Sequence, residues 1–388
     1  MSQINIRNLS NENDDGSPDI IGISTFSATS FFVPPKGSTA ERPSDCEPGS
    51  IRFNTDTANL EYFRGKTLGW SQFELVTPDL GQSGGDGGGT SVGNGLGTRG
   101  VFGMRAEPSI TDSIDFITIS TMGNAQDFGN STDSRYTYST CASRTRGFIA
   151  GGAFSLVDTI EFVTFASTGN ATDFGNLTQS RWVMCQGAAD STRGMFVGGL
   201  DPGPSTTFNI IDFITMAQTG NAVDFGDISS TRRMGSGCQS STRAIFAGGY
   251  TPSNTNVIDF VTTSTTGAAA AFGDLNYEQK NGSAASNSTR GLFFGGNDGG
   301  NPYNNNISFI TIATKGNAAD FGDLTVSVGG AGASSSSTRA VRGGGLTPGN
   351  SDVIDKVEIL TLGNAVDFGN LNAAGHNLQG FSNGHGGL

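Results

Sequence analysis

The sequence predicts an all-β fold dominated by a six-fold internal repeat, and three observations carry that reading. The tripeptide Thr-Arg-Gly/Ala recurs at Arg99, Arg146, Arg193, Arg243, Arg290 and Arg339, at steps of 47, 47, 50, 47 and 49 residues. A second marker, Phe-Gly, recurs in step with it at Phe128, Phe174, Phe225, Phe272, Phe321 and Phe368. Composition agrees with both. The chain of 388 residues holds 59 glycines without a collagen-like period, and its 27 phenylalanines need a core to bury them.

One unit shows the expected elements in order. In the third, Arg181–Ala188 (RWVMCQGA) alternates bulky and small residues, and Gly194–Gly199 (GMFVGG) is an apolar run stopped by a glycine pair. Ile210–Met216 (IIDFITM) is β-branched and aromatic, and Asn221–Ile228 (NAVDFGDI) carries the Phe-Gly marker. Short runs separated by Gly, Asn and Ser turns predict four strands per unit, and no window shows a helical period. The glycine pairs Gly151–Gly152, Gly198–Gly199, Gly248–Gly249, Gly295–Gly296 and Gly343–Gly344 mark where strands turn or converge. A four-stranded unit repeated six times exposes two apolar faces per sheet, and stacking the sheets around an axis covers both. The prediction is therefore a six-bladed β-propeller over residues 98–388.

A strand ending in Gly-Gly, then an aromatic and β-branched strand, then one carrying an aromatic, resembles the kelch repeat. Phe within Asp-Phe-Gly stands where kelch units usually place tryptophan. The first Thr-Arg-Gly (Thr98–Gly100) lacks a preceding strand, while Asn370–Leu388, with HNLQGFSNGHGG, continues past the last marker. The C-terminal strand is thus expected to complete the first blade and close the array.

Residues 1–80 stand outside the repeat, joined to it by a Gly-rich linker at 81–97. Met1–Asp19 is polar. Ser50–Asn54 (SIRFN), Leu60–Arg64 (LEYFR) and Trp70–Val76 (WSQFELV) read as three strands with turn chemistry between them. The stretch PGSIRFNTDTANLEYFRG…GW resembles a small β-module of tailed-phage fibres and other virion structural proteins. With the opening MSQINIRNLSNENDDGSPDIIGISTFSATSFFVPP and the STRG and GNAADFGDL phrases, most of the chain resembles structural proteins of marine cyanobacterial tailed phages. That resemblance implies a module that attaches to a virion, with Phe53, Tyr62 and Trp70 as its anchoring aromatics.

Motifs that suggest chemistry read better as packing. Asp-Phe-Gly occurs five times at the structural period, without the lysine strand or His-Arg-Asp loop of a kinase. Its Phe is expected to pack between blades and its Gly to make a tight turn. Copper would need clustered His, Tyr and Cys, and only His376 and His385 exist, which read as packing or solvent-facing residues. Acids beside Asn and Gly, as in Gly220–Asp227, lack calcium-loop spacing. Cys46, Cys141, Cys185 and Cys238 lack zinc spacing and read as small buried residues. The Thr-Arg-Gly arginines are expected to bond or ion-pair a carboxylate of a neighbouring strand, such as Asp212 or Asp224.

The net charge of −13 opposes a nucleic-acid surface, and neither a secretory signal nor an 18-residue apolar run is written in. The expected protein is non-enzymatic and cofactor-free, without membrane insertion, made in the host cytoplasm and placed in the virion. Its expected partners are other virion structural proteins. The alternative is an adhesin that recognises a host-surface receptor or glycan. Loops after the Gly-Gly strands vary most and share one face, where Phe208, Tyr250, Asn297, Tyr303 and Asn305 are the candidate binding residues.

Overall fold

The computed structural model describes residues 34–56, 59–72, 98–106, 109–152, 157–201, 203, 205–298 and 303–388. Met1–Asp19, the linker at 81–97 and the end of the expected strand Trp70–Val76 lie outside the described residues. The chain forms two compact units, Met1–Leu75 and Val76–Leu388.

The first unit is one four-stranded sheet. Its strands Ile51–Asn54, Asn59–Phe63 and Trp70–Gln72 are antiparallel, in the order the sequence suggested. A fourth strand, Lys36–Gly37, adds parallel to Ile51–Asn54. Nothing in the sequence signals it, because Pro-Pro-Lys-Gly is poor in strand formers and the pairing rests on backbone alone. Opposed pairs sort the side chains by face. Arg52, Glu61, Phe63 and Trp70 share one face, and Ile51, Phe53, Leu60 and Tyr62 share the other.

The second unit is all β, with six antiparallel sheets that each have four principal strands. Sheet two runs Ser139–Ala142, Arg146–Ala150, Thr159–Thr164, Thr172–Asn176, and sheets three to six follow in chain order. Sheet four also carries the short strand Tyr250–Thr251. Second strands such as Arg193–Val197 (RGMFV) are buried on both faces, as expected of a strand covered by a neighbouring sheet on each side. Sheet one closes as expected: Gly380–Ser382 pairs antiparallel with Gly100–Phe102, so the chain's last strand lies beside its first Thr-Arg-Gly strand.

Three expectations about the unit change. Arg181–Ala188 is not a strand through its length; only Ala188–Ala189 is, because Val183 takes a left-handed φ of 51° and Arg181 is turned inward to a buried carboxylate. In the sixth unit the positive-φ pair is Gly344–Gly345, and Gly343 ends the strand Arg339–Gly343. The glycine of Asp-Phe-Gly makes no tight turn. It sits within the outer strand beside a β-bulge: Ile211 faces Gly226 and Asp212 faces Asp224, leaving Phe225 unmatched. The bulge breaks the alternation, so Val223 and Asp224 are exposed while Phe225 is buried.

That glycine is where successive sheets meet. A Cβ on Gly226 would lie 2.4 Å from the Gly267 carbonyl oxygen of the next sheet. The Gly267 amide in turn donates to the Phe225 oxygen at 2.7 Å. Equivalent bonds join Gly169 to Phe128, Gly220 to Phe174, Gly316 to Phe272, Gly363 to Phe321 and Gly123 to Phe368, all at 2.7–3.0 Å. The last runs from sheet one back to sheet six, so the pattern returns to its start.

The Thr-Arg-Gly arginines make the same circuit, with a partner other than the expected carboxylate. Arg99 donates to the Phe165 oxygen, Arg146 to Met216, Arg193 to Thr263, Arg243 to Ile312, Arg290 to Ile359 and Arg339 to Ile119, at 2.6–3.3 Å. Each accepting carbonyl belongs to the residue just after the third strand of the next sheet. Five of the guanidiniums also lie over a phenylalanine, Phe116, Phe162, Phe213, Phe260 or Phe309, at 4.7–5.1 Å. Asp224 is exposed, and Asp212 belongs to a different arginine, Arg181. Arg339 also pairs with a carboxylate, Glu358.

Candidate functional site

Carboxylates with catalytic potential are consumed in the joints between sheets. Asp115, Glu161, Asp212, Asp259 and Asp355 occupy one position of the third strand in five sheets, all buried. Each pairs with an arginine of its own sheet: Arg105, Arg135, Arg181, Arg232 and Arg342 respectively. Each also accepts a bond from the segment leaving the previous sheet, through Asn372, Ser131, Thr178, Ser229 and Thr325. Burial pulls the Arg181 and Arg342 pKa values down, opposed by Asp212 and Asp355. Each of these carboxylates is buried and tied to a guanidinium and to a hydroxyl or amide of the neighbouring segment, which commits it to the joint between sheets. Among the described residues no three His, Cys, Asp or Glu side chains converge to hold a metal ion.

The segments leading into each first strand build a continuous feature. Thr137, Val183, Met234, Asn281 and Asn377 take left-handed φ values of 51–59°, and Gly330 takes 64°. Around them runs a cycle of backbone bonds. Thr137 N–H donates to Asn377 O, Asn377 to Gly330, Gly330 to Asn281, Asn281 to Met234 and Met234 to Val183. Met184 N–H donates to Thr137 O and completes the cycle. A concavity of about 20 Å³, lined by Thr137, Met234, Asn281, Asn377 and Gln379, sits at its centre. That volume is enough for a water molecule.

Deeper, a second space of about 30 Å³ lies among the first strands. Gln186 crosses it from sheet three to sheet five, donating to Ala284 O and accepting from Ala284 N at 2.8 Å each. The C-terminal tail seals the far end. Gly386 N–H donates to Ser286 O, and the buried His385 Nε2 bonds Ala142 O at 2.7 Å. Gly387 N–H must donate to His385 Nδ1, which assigns the Nε2–H tautomer and a neutral ring. Burial lowers the His385 pKa to about 4. His376 instead bonds Asn350 and bridges Ala106 through its backbone.

The candidate loop residues separate into two groups. Tyr250 and Asn297 are brought together with Arg233 and Lys280. Tyr250 pairs its backbone with Arg233 and Asn297 with Lys280, while the Tyr250 ring is flanked by Arg233 at 5.1 Å and Lys280 at 4.8 Å. Asn297 O also accepts from Asn254. Tyr303 lies apart, its ring over the Gly329 backbone. Phe208 and Asn305 fix their loops by main chain, to Gly199 and Arg232 and to Leu324. Arg233, Lys280 and Trp182 escaped the sequence reading. Their signal was position: each immediately precedes a left-handed residue of the bonded cycle.

In the N-terminal unit the three aromatics divide between faces. Trp70 is half-buried: its Nε1 donates to Pro43 O, and it packs on Phe63 at 5.4 Å with Arg52 above it. Arg42 and Asn54 both bond Glu61 on this face. Phe53 and Tyr62 lie on the opposite face with Ile51 and Leu60, which are 50% and 41% exposed. Of the four cysteines all thiols are free; Cys141, Cys185 and Cys238 are buried, which raises their pKa, and Cys46 is half-buried. No protein-family model matches the chain, and no curated protein matches it.

Proposed function

We propose that the six sheets are the blades of a closed, kelch-like β-propeller. On this reading the protein is a non-enzymatic structural component of a tailed-phage particle, in a tail or other surface appendage. The return of three separate bonding patterns from sheet six to sheet one supports the propeller. The consumption of the buried carboxylates in inter-sheet joints supports a non-catalytic role.

The observation that carries the attachment role is the Ile51, Phe53, Leu60, Tyr62 face. A small sheet with half-exposed Ile51 and Leu60 on one face is an interaction surface. The experiment is to locate the chain in purified particles by electron microscopy with a chain-specific label, using wild type and an Ile51→Ser/Leu60→Ser variant. Labelled appendages, lost in the variant, are the expected result. Particles without the protein would overturn the reading.

A second reading, a receptor- or glycan-binding adhesin, is favoured by Tyr250 held between Arg233 and Lys280 beside the axial concavity. Binding of the full chain to a glycan array, abolished by Arg233→Ala and Lys280→Ala, would select it.

A further inference from the structure

Arg233 differs from the arginines in the joints between sheets. Arg181, Arg232 and Arg342 each hold a carboxylate, and Arg146, Arg193 and Arg243 each donate to a carbonyl. Arg233 has neither partner among the described residues, and its Nε is buried without an acceptor. Lys280 holds the equivalent position one sheet on and likewise has no ion pair among the described residues. The two side chains meet at one ring. The Arg233 guanidinium carbon lies 5.1 Å and the Lys280 Nζ 4.8 Å from the Tyr250 ring centroid. The positive centres are therefore within about 10 Å of each other.

The fold does not require cations here. Backbone bridges hold the position, pairing Trp182 with Leu200, Arg233 with Tyr250, Lys280 with Asn297 and Gly329 with Leu346. In the other four sheets the residue before the left-handed one is Tyr136, Trp182, Gly329 or His376. Two like charges beside one ring repel, and the ring attracts each without neutralising either. In a chain of net charge −13 a carboxylate is the ordinary partner, and the described residues supply none.

We propose that Arg233 and Lys280 bind the carboxylate of an acidic sugar, of the uronic or sialic acid type. The assignment rests on the adhesin reading and names its ligand class. A guanidinium fork matches a carboxylate in two parallel bonds, and the lysine adds a point charge. The next residues, Met234 and Asn281, line the concavity at the centre of the bonded cycle, together with Gln379. The Gln379 Oε1 there is buried and lacks a donor. Cationic donors thus stand beside neutral amide groups, which suits a carboxylate that also carries hydroxyls. At about 20 Å³ the concavity admits one hydroxyl, so the sugar lies across its mouth.

The test is titration of the ¹⁵N-labelled full chain with tetragalacturonate and with sialyllactose, followed by calorimetry and by the arginine Nε–H signals. Methyl-esterified tetragalacturonate, lactose and inorganic phosphate are the controls. At least one acidic saccharide should bind at least about 10-fold more tightly than its neutral counterpart and shift the Arg233 Nε–H. Arg233→Gln/Lys280→Gln should weaken that binding at least about 10-fold with an unchanged melting temperature, and Arg233→Lys should weaken it less. Equal binding of the neutral counterparts overturns the proposal and leaves the adhesin reading standing. Phosphate binding as tightly as the acidic saccharides overturns the sugar class. Absence of binding by both acidic saccharides, or equal binding by wild type and the double variant, overturns the site, while the glycan array still decides the adhesin reading.

Discussion

Deleting Ala374–Leu388 should remove most of the stability of the second unit. The segment supplies the first strand of sheet one through Gly380–Ser382, and buries Leu378 and Phe381 to 1% and 5% exposure. Phe381 packs on Phe165 at 5.9 Å and fills the space that a side chain on Gly147 would need. Burying Leu and Phe contributes about 1.5–3 kcal/mol each, and the strand's bonds about 1 kcal/mol apiece. Exposing their partners adds to this. The loss is of order 6–10 kcal/mol, comparable with the whole stability of a typical domain, about 5–15 kcal/mol.

The truncated chain should show no cooperative unfolding by calorimetry. Phe381→Ala, a graded version, should cost about 3–5 kcal/mol and lower the melting temperature by roughly 10 °C. If the truncated chain melts within about 2 °C of wild type, on a scale of about 2–4 °C per kcal/mol, the closure argument is wrong.

Other predictions concern the buried charges. Asp212→Ala should destabilise by about 3–5 kcal/mol, because it strands the fully buried Arg181 guanidinium, whereas Arg181→Met/Asp212→Leu should cost clearly less than the sum of its singles. Additive chemical-denaturation energies would refute that coupling. His385 is neutral when folded, with its pKa lowered to about 4, while the unfolded ring titrates near 6.5. Its contribution is therefore intact above about pH 6.5 and is lost as pH falls towards 4, by about 3 kcal/mol in all. The difference in stability between wild type and His385→Gln should carry that slope; a flat difference between pH 7 and 4 would show that His385 is solvated.

The repeat was legible because both markers sit where geometry admits few residues. Gly226 and its equivalents take a neighbour's carbonyl against the backbone, and Arg193 and its equivalents reach a neighbour's strand end. Three of the cysteines were legible as small buried residues for a similar reason: a Cβ on Gly194 or Gly291 would meet the Cys141 or Cys238 sulfur. The partners of the arginines were not legible. An arginine accepts a carbonyl as readily as a carboxylate, and the choice lies with a chain segment about 70 residues away. The candidate site was half legible. Tyr250 and Asn297 stood out as loop residues, but Arg233 and Lys280 lie in segments equivalent to Arg181–Ala188, which read as a strand.

By itself the sequence determined the all-β class, the six-fold period, the order of the strands within each repeat and the supply of the missing strand from the C-terminus. Those are local properties, set by alternation, turn residues and the count of markers. The tertiary structure alone decided which groups meet across sheets. It assigned the carboxylates to Arg181 and its counterparts, bound the left-handed residues into one cycle of backbone bonds, and buried His385 against the Ala142 carbonyl. The physical reason is that contacts between sheets join positions a whole repeat or more apart, where sequence periodicity gives the spacing but not the partner.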